Sequence, residues 1–202
     1  SCMKLVQFWR NGAPALGLQT EAGIVDAAAE ATRRGTTAPA DMEEAILLGA
    51  EGMERLLDPL TRDQVCLLPP EAVRLAPVVT EPGRILCIGL NYRQHARECD
   101  LPLPPAPVLF NKFHNALAAH GEEIALPGDY REYDYEAELV AVIGKPARDV
   151  PQERALDYVF GYTCGNDLST RDLQFARGGQ WLLSKTFDGF ASIGSCLVPA
   201  GE

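Results

Sequence analysis

"YDYEAELVAVIG", residues 133–144, sets two carboxylates, Glu136 and Glu138, at the head of an apolar run. Successive strand side chains point to opposite faces, so residues two apart share one face and these carboxylates project together. Two anions that close repel, and burial adds to the cost unless a cation or a shared proton compensates. The stretch therefore reads as a buried strand carrying half of a hard-metal site or of an acid dyad. The competing reading places both glutamates on the solvated face of an antiparallel strand.

A cation at this pair needs a further oxygen donor, and Asp167 in "GYTCGNDLSTRD" (residues 161–172) offers one at the end of a short apolar strand. Three carboxylates with no nearby Cys or His ligand favour Mg²⁺ or Mn²⁺, with waters or substrate oxygens completing an octahedron. In "CIGLNYRQHARECD" (87–100), His95 and Glu98 stand three positions apart and share a helical face. A carboxylate beside an imidazole orients it and raises its basicity, which suits activation of water; a surface contact is the plainer alternative. Lys185 in "WLLSKTFDGF" (181–190) is a lone cation among apolar residues. It either holds a substrate carboxylate or enolate, or snorkels to solvent.

Further out, residues 4–28 read as three short strands, "KLVQFW", "PALGLQT" and "GIVDAA", turned at Asn11-Gly12 and at Glu21-Ala22-Gly23. The Asn-Gly pair favours a hairpin. Asp41 is placed to cap a helix in "MEEAILLG", and "GMERLLDPL" stays helical up to Pro59. The proline-rich "LLPPEAVRLAPVVTEPG" (67–83) is the expected boundary between a unit over residues 1–78 and another over 79–202. Beyond it, "RILCIGLNY", "VLFNKF" and "EEIALP" are expected strands, and "PQERALDYVFGYT" (151–163) is expected to begin as a helix that ends at Gly161. Internal repeats and phosphate-cradling glycine motifs are absent from the sequence.

Composition narrows the function classes. With 47% hydrophobic residues, 202 residues suffice for a core without staples. A formal net charge of −10 disfavours nucleic acid and anionic membrane surfaces as partners. No stretch approaches the roughly 20 apolar residues needed to span a bilayer, and a cytoplasmic location is the expectation. The six cysteines form no C-x-x-C pair and are expected to be free thiols.

Five segments in order, "RILCIGLNYRQHARE", "PVLFNKFHNAL", "YDYEAELVAVIGKPARDVP", "YVFGYTCGNDLSTRDLQ" and "QWLLSKTFDGFASIGSCLVP", together resemble the fumarylacetoacetate hydrolase superfamily over residues 80–199. The resemblance implies an α+β protein: a mixed β-roll catalytic domain over residues 79–202, preceded by a small α+β domain over residues 1–78. The roll of that family normally continues further, so its C-terminal part is expected to be missing from this chain. By position, the resemblance assigns Mg²⁺ or Mn²⁺ to Glu136, Glu138 and Asp167, a water-activating dyad on a mobile lid to His95 and Glu98, and substrate contacts to Lys185 and Tyr92. Asp134 becomes a flanking residue, and Arg171 and Asp172 become supports. His114-Asn115 departs from the family pattern, and no contact is assigned to Lys112. The implied reaction is hydrolytic C–C cleavage of a β-diketo acid or acylpyruvate, in a homodimer whose partner is a small 2-oxo acid. The same chemistry also serves decarboxylation of oxaloacetate-like acids, and isomerisation or hydration of unsaturated 2-oxo acids. A non-catalytic metal-binding or interaction protein is the alternative of another class.

Overall fold

In the computed structural model, which describes residues 2–176 and 178–201, the chain opens with the expected meander. Asn11 and Gly12, both with positive φ (51° and 78°), turn β1 (Leu5–Arg10) into β2 (Ala13–Thr20), with Arg10 opposite Ala13. This is the backbone an Asn-Gly pair adopts at least cost. β3 (Gly23–Asp26) follows, and the Asp26 side chain caps α1 (Ala27–Arg33) by accepting from the Ala29 N–H at 3.2 Å.

α2 (Met42–Leu56) begins where the sequence places it. Asp41 accepts from the Glu44 N–H at 2.9 Å, and the Glu44 carboxylate reaches back to the Ala40 N–H at 2.7 Å. The helix is broken at Gly49, φ 71°, the last residue of the first of the two helical segments read from the sequence. Gln7, buried in β1, joins three parts of the chain. Its amide donates to the carbonyls of Pro77 and Val78 (2.9 and 3.2 Å) and accepts from the Met42 N–H at 2.9 Å. All that polarity is thus satisfied inside the core.

The proline-rich connection is irregular, and it is stitched to the meander by bridges at Val25–Leu67 and Phe8–Leu75. After it come β4 (Ile85–Gly89), α3 (Arg93–Glu98) and β5 (Val108–Lys112), with β4 and β5 paired antiparallel as a separate hairpin. Next are β6 (Leu117–Ala118), β7 (Tyr133–Asp134), β8 (Ala137–Ile143), β9 (Val159–Asp167) and β10 (Ser169–Thr170). Two single-turn helices, α4 (Arg171–Gln174) and α5 (Leu182–Lys185), lead into the last strand, β11 (Ala191–Pro199). A seven-stranded mixed sheet runs β3-β2-β1-β11-β9-β8, with β6 parallel to β11; β7 and β10 pair apart from it. The result is a mixed α+β fold around a sheet, and its core gathers Leu5, Leu18, Met42 and Leu57 from the N-terminal elements with Phe160 and Leu197 from β9 and β11.

Three sequence expectations change. β8 is not buried on both sides: Leu139 and Ile143 are 67% and 56% exposed, while Glu138, Val140 and Val142 face inward. Residues 151–163 form no α-helix; Gln152–Tyr158 is a 3-10 segment and β9 begins at Val159. Gly161 lies within that strand, where a Cβ would stand 2.5 Å from the Val198 carbonyl oxygen. Residues 122–127 find no strand partner. Among the described residues no helix is long and apolar enough to cross a membrane, and all six cysteines are free.

Candidate active site

The pairing of β8 with β9 brings the predicted carboxylates together. Ala137 lies opposite Asn166 and Glu138 opposite Gly165, so Glu136 meets Asp167, whose N–H donates to the Glu136 carbonyl at 2.9 Å. Asn166 locks the corner by accepting the Glu136 N–H on its side chain at 3.1 Å. Glu136, Glu138 and Asp167 each present an oxygen within 4.8 Å of the others.

Three cations surround this group. Lys185, 2% exposed on α5, donates to Asp167 Oδ2 at 2.9 Å and to Glu136 Oε2 at 3.2 Å, over the face of Phe110. Arg171 spreads its fork across Asp134 (2.8 and 2.9 Å), Glu136 Oε1 and Gln174 (2.7 Å). Lys112 stands on the inward face of β5, 4% exposed, with Nζ 2.7 Å from Asp167 Oδ1. Sequence reasoning gave Lys112 no contact. Alternation along "VLFNK" puts Lys112 on one face with Phe110, but it gives no sign of the distant acceptors that hold the lysine there.

The charges shape one another. Burial works against ionisation of Asp167, but Lys112 and Lys185 outweigh it and hold the carboxyl below its ordinary range. Glu138 goes the other way: burial pushes its pKa up, the Glu136 charge adds to that, and the Tyr92 hydroxyl partly opposes it. Burial lowers the Lys112 pKa against the pull of Asp167, and the nearby Cys87 thiol is pushed up to about 11 by burial and by Asp167. That thiol stays protonated at neutral pH.

The donor set fits a hard dication. Lys112 commits its N–H groups to the carbonyls of Leu168 (3.2 Å), Phe190 (2.7 Å) and Lys185, so Asp167 Oδ1 has the lysine charge beside it but no hydrogen bond. A buried carboxylate oxygen with an uncommitted lone pair, beside two further carboxylates, matches the all-oxygen coordination of Mg²⁺ or Mn²⁺.

The residues expected to form a lid lie after β4. Tyr92 precedes α3, and its hydroxyl accepts from the Leu139 N–H at 3.2 Å, which places it over β8 next to Glu138. His95 and Glu98 share α3, but Glu98 accepts from Gln94 at 3.0 Å and His95 lies against the Cys99 sulfur at 3.9 Å. No hydrogen bond joins the two among the described residues. Asp172 accepts from the Arg131 N–H at 2.9 Å and from Thr170, supporting the corner that carries Arg171. His114 is exposed and 3.9 Å from Glu81, away from the cluster's hydrogen bonds.

The fumarylacetoacetate (FAA) hydrolase C-terminal family matches residues 84–202. A mitochondrial oxaloacetate tautomerase from Xenopus laevis is 38% identical over 201 residues, covering 97% of this chain and 61% of the relative. The chain therefore spans about three fifths of that relative's length. Among solved structures, a fumarylacetoacetate hydrolase from Exiguobacterium antarcticum superposes with a TM-score of 0.74 at 29% identity, over 98% of this chain and 66% of the other. A maleylpyruvate hydrolase from Sphingobium sp. SYK-6, in complex with manganese(II) and pyruvate, gives a TM-score of 0.74 at 26% identity, over 98% and 67%. With its carboxylate corner and inward lysines inside the matched region, the chain belongs to the fumarylacetoacetate hydrolase family.

Proposed function

We propose that this chain carries a divalent-metal-dependent enzyme of 2-oxo acids, and that its reaction is keto–enol tautomerisation of an oxaloacetate-like diacid. The observation that carries the reading is the group of Glu136, Glu138 and Asp167 within 4.8 Å, with Asp167 Oδ1 free of hydrogen bonds. Glu136, Glu138 and Asp167 would hold a Mg²⁺ or Mn²⁺ ion, which would supply a Lewis acid for a 2-oxo carbonyl. Lys185 adds a cation beside the oxygen on which negative charge develops, and with two of its three N–H groups on carboxylates it retains one for substrate. Arg171 holds Glu136, and Lys112 ties the carbonyl of Leu168, next to Asp167, to that of Phe190 on the neighbouring segment. Tyr92 stands beside Glu138, and His95 on the following helix is the proton carrier in this reading. The match to an oxaloacetate tautomerase along nearly the whole chain supports this choice.

Hydrolytic C–C cleavage of an acylpyruvate or β-diketo acid is the second reading. It is favoured by His95 and Glu98 on one helical turn next to Tyr92, and by the hydrolase neighbour that holds manganese and pyruvate. It ranks second because Glu98 is paired with Gln94, so a water-activating dyad requires α3 to rearrange.

The test is to add Mn²⁺ or Mg²⁺ to chelator-treated protein. Enol-to-keto conversion of oxaloacetate is then followed by ultraviolet absorbance, and pyruvate release from acetylpyruvate in parallel. Metal-dependent conversion is expected, with Glu138→Gln weakening metal binding by more than the roughly 10–100-fold typical of groups behind the ligands. Metal-dependent pyruvate release without oxaloacetate conversion would favour hydrolysis. Metal binding with neither reaction would leave a binding protein.

A further inference from the structure

Gly89 closes β4 and opens the turn to α3, and its φ lies outside the left-handed region. What requires a glycine there is a close approach. A Cβ at position 89 would stand 2.3 Å from the six-membered ring of the Trp181 indole, a separation that unbonded heavy atoms do not tolerate. Cys87 pairs with Phe110 across the β4–β5 hairpin, so Gly89, two residues on, shares the face that carries Phe110. The indole lies on that face, in T-shaped contact with Phe110 at 5.6 Å between centroids. Phe110 also lies under the Lys185 ammonium at 5.0 Å, and Lys185 stands one turn from Trp181 on α5. Trp181 therefore joins the last residue of β4 to the wall of the carboxylate corner.

Three residues after Gly89, the Tyr92 hydroxyl accepts the Leu139 N–H next to Glu138. Among the described residues, the other hydrogen bonds of residues 92–99 are local to α3 and its ends. Where α3 lies is thus set by its exit from β4, by the Tyr92 bond and by the buried Ala96. We infer that Trp181 is a positioning residue of the site: the indole, seated in the space that Gly89 leaves open, sets the path by which the chain leaves β4 and so keeps Tyr92 beside Glu138 and α3 in register with it. For turnover this rests on the reading above, in which His95 of α3 carries the proton; for the placement of Tyr92 it does not.

β8 is the edge strand of the sheet, and its Leu139 amide reports that placement directly. Followed by NMR, hydrogen exchange at Leu139 is expected to speed up about tenfold in Trp181→Leu. The Asp167 N–H, bonded to the Glu136 carbonyl, should exchange as in wild type. Trp181→Phe keeps a ring on Gly89 and should stay within about threefold of wild type. Gly89→Ala sets a methyl where the indole lies and should match Trp181→Leu, whereas adding it to Trp181→Leu should change little further. In parallel, kcat for manganese-dependent conversion of oxaloacetate should fall about tenfold or more in Trp181→Leu, with Mn²⁺ affinity unchanged. An unchanged Leu139 rate in folded Trp181→Leu overturns the inference. So does a common rise at Leu139 and Asp167, which would make Trp181 a general support of the fold, and so does full turnover by Trp181→Leu. A wild type without metal-dependent conversion overturns the tautomerase reading instead, and the exchange rates still decide the placement. Should Trp181→Leu not fold, Gly89→Ala read at the same two amides decides it.

Discussion

Lys112 places a full positive charge where the chain is 4% exposed, and what permits it is a complete set of acceptors: three carbonyls for its N–H groups and Asp167 for its charge. Replacing it with Met fills the same space but removes a donor from each of those carbonyls, of which that of Phe190 keeps the Leu168 N–H, and leaves Asp167 without its nearer counterion. Lys112→Met is expected to lower stability by about 3–5 kcal/mol, the cost typical of breaking a buried pair. A fall in the urea midpoint at unchanged slope is the measurement; an unchanged midpoint would show that Asp167 relaxes onto Lys185 alone. The paired glutamates were legible in the sequence because E-x-E repeats a charge at the strand period. Lys112 was not, because one lysine in an apolar strand carries no internal sign of its partners, which lie 55 or more positions away along the chain.

Elements follow the same division between local and distant causes. The Asn-Gly hairpin and the Asp41 cap were readable because turn and cap chemistry acts over four residues or fewer. Residues 151–163 misled because Ala155, Leu156 and Val159 fit a helical stripe, yet Leu156 is 73% exposed and the pairing of β9 with both β8 and β11 claims the chain from Val159. The partner of Glu98 could not be read, since it had both His95 and Gln94 within one turn. α1 shows a distant tie with a pH signature. Glu30 is fully buried and pairs with Arg33 and Arg34 while accepting the N–H groups of Val65 and Cys66. The Arg33 hydrogen bond, foremost, with these other donors, overcomes burial and holds its carboxyl well below the usual 4.5. A folded pKa below the unfolded one means that the unfolded chain takes up the proton first, so this stabilisation is complete above the ordinary carboxylate range and fades as pH falls below it. Glu30→Gln should therefore cost about 1.5–3 kcal/mol at neutral pH. The gap to wild type should narrow as chemical denaturation is repeated from pH 6 down to about pH 3. A gap that stays constant across that range would show that the charge on Glu30 contributes nothing.

At the scale of the molecule, the proline-rich connection was expected to separate two units near residue 78, and the sheet runs across that line. β1 pairs with β11, Leu5 stands opposite Leu197, and both side chains are fully buried in a core that continues from α2 to Phe160. Strand pairing between residues nearly two hundred positions apart leaves no trace in local pattern, which is why the sequence suggested a boundary where the structure has a seam. Tryptophan sits on either side of it, Trp9 in β1 and Trp181 ahead of α5. Single-tryptophan proteins, Trp9→Phe and Trp181→Phe, report the two sides separately during urea unfolding. If the seam couples them, both probes should trace one transition with a common midpoint. Leu197→Ala, which opens a cavity on the seam, should then lower that midpoint equally for both, by about 2–5 kcal/mol in stability. An early transition at Trp9 that leaves Trp181 unchanged would instead make the meander an independent unit, and the carboxylate corner would owe it nothing. Coincidence would mean that the site at the far edge of the sheet is held in place partly by residues that precede the family-matched region.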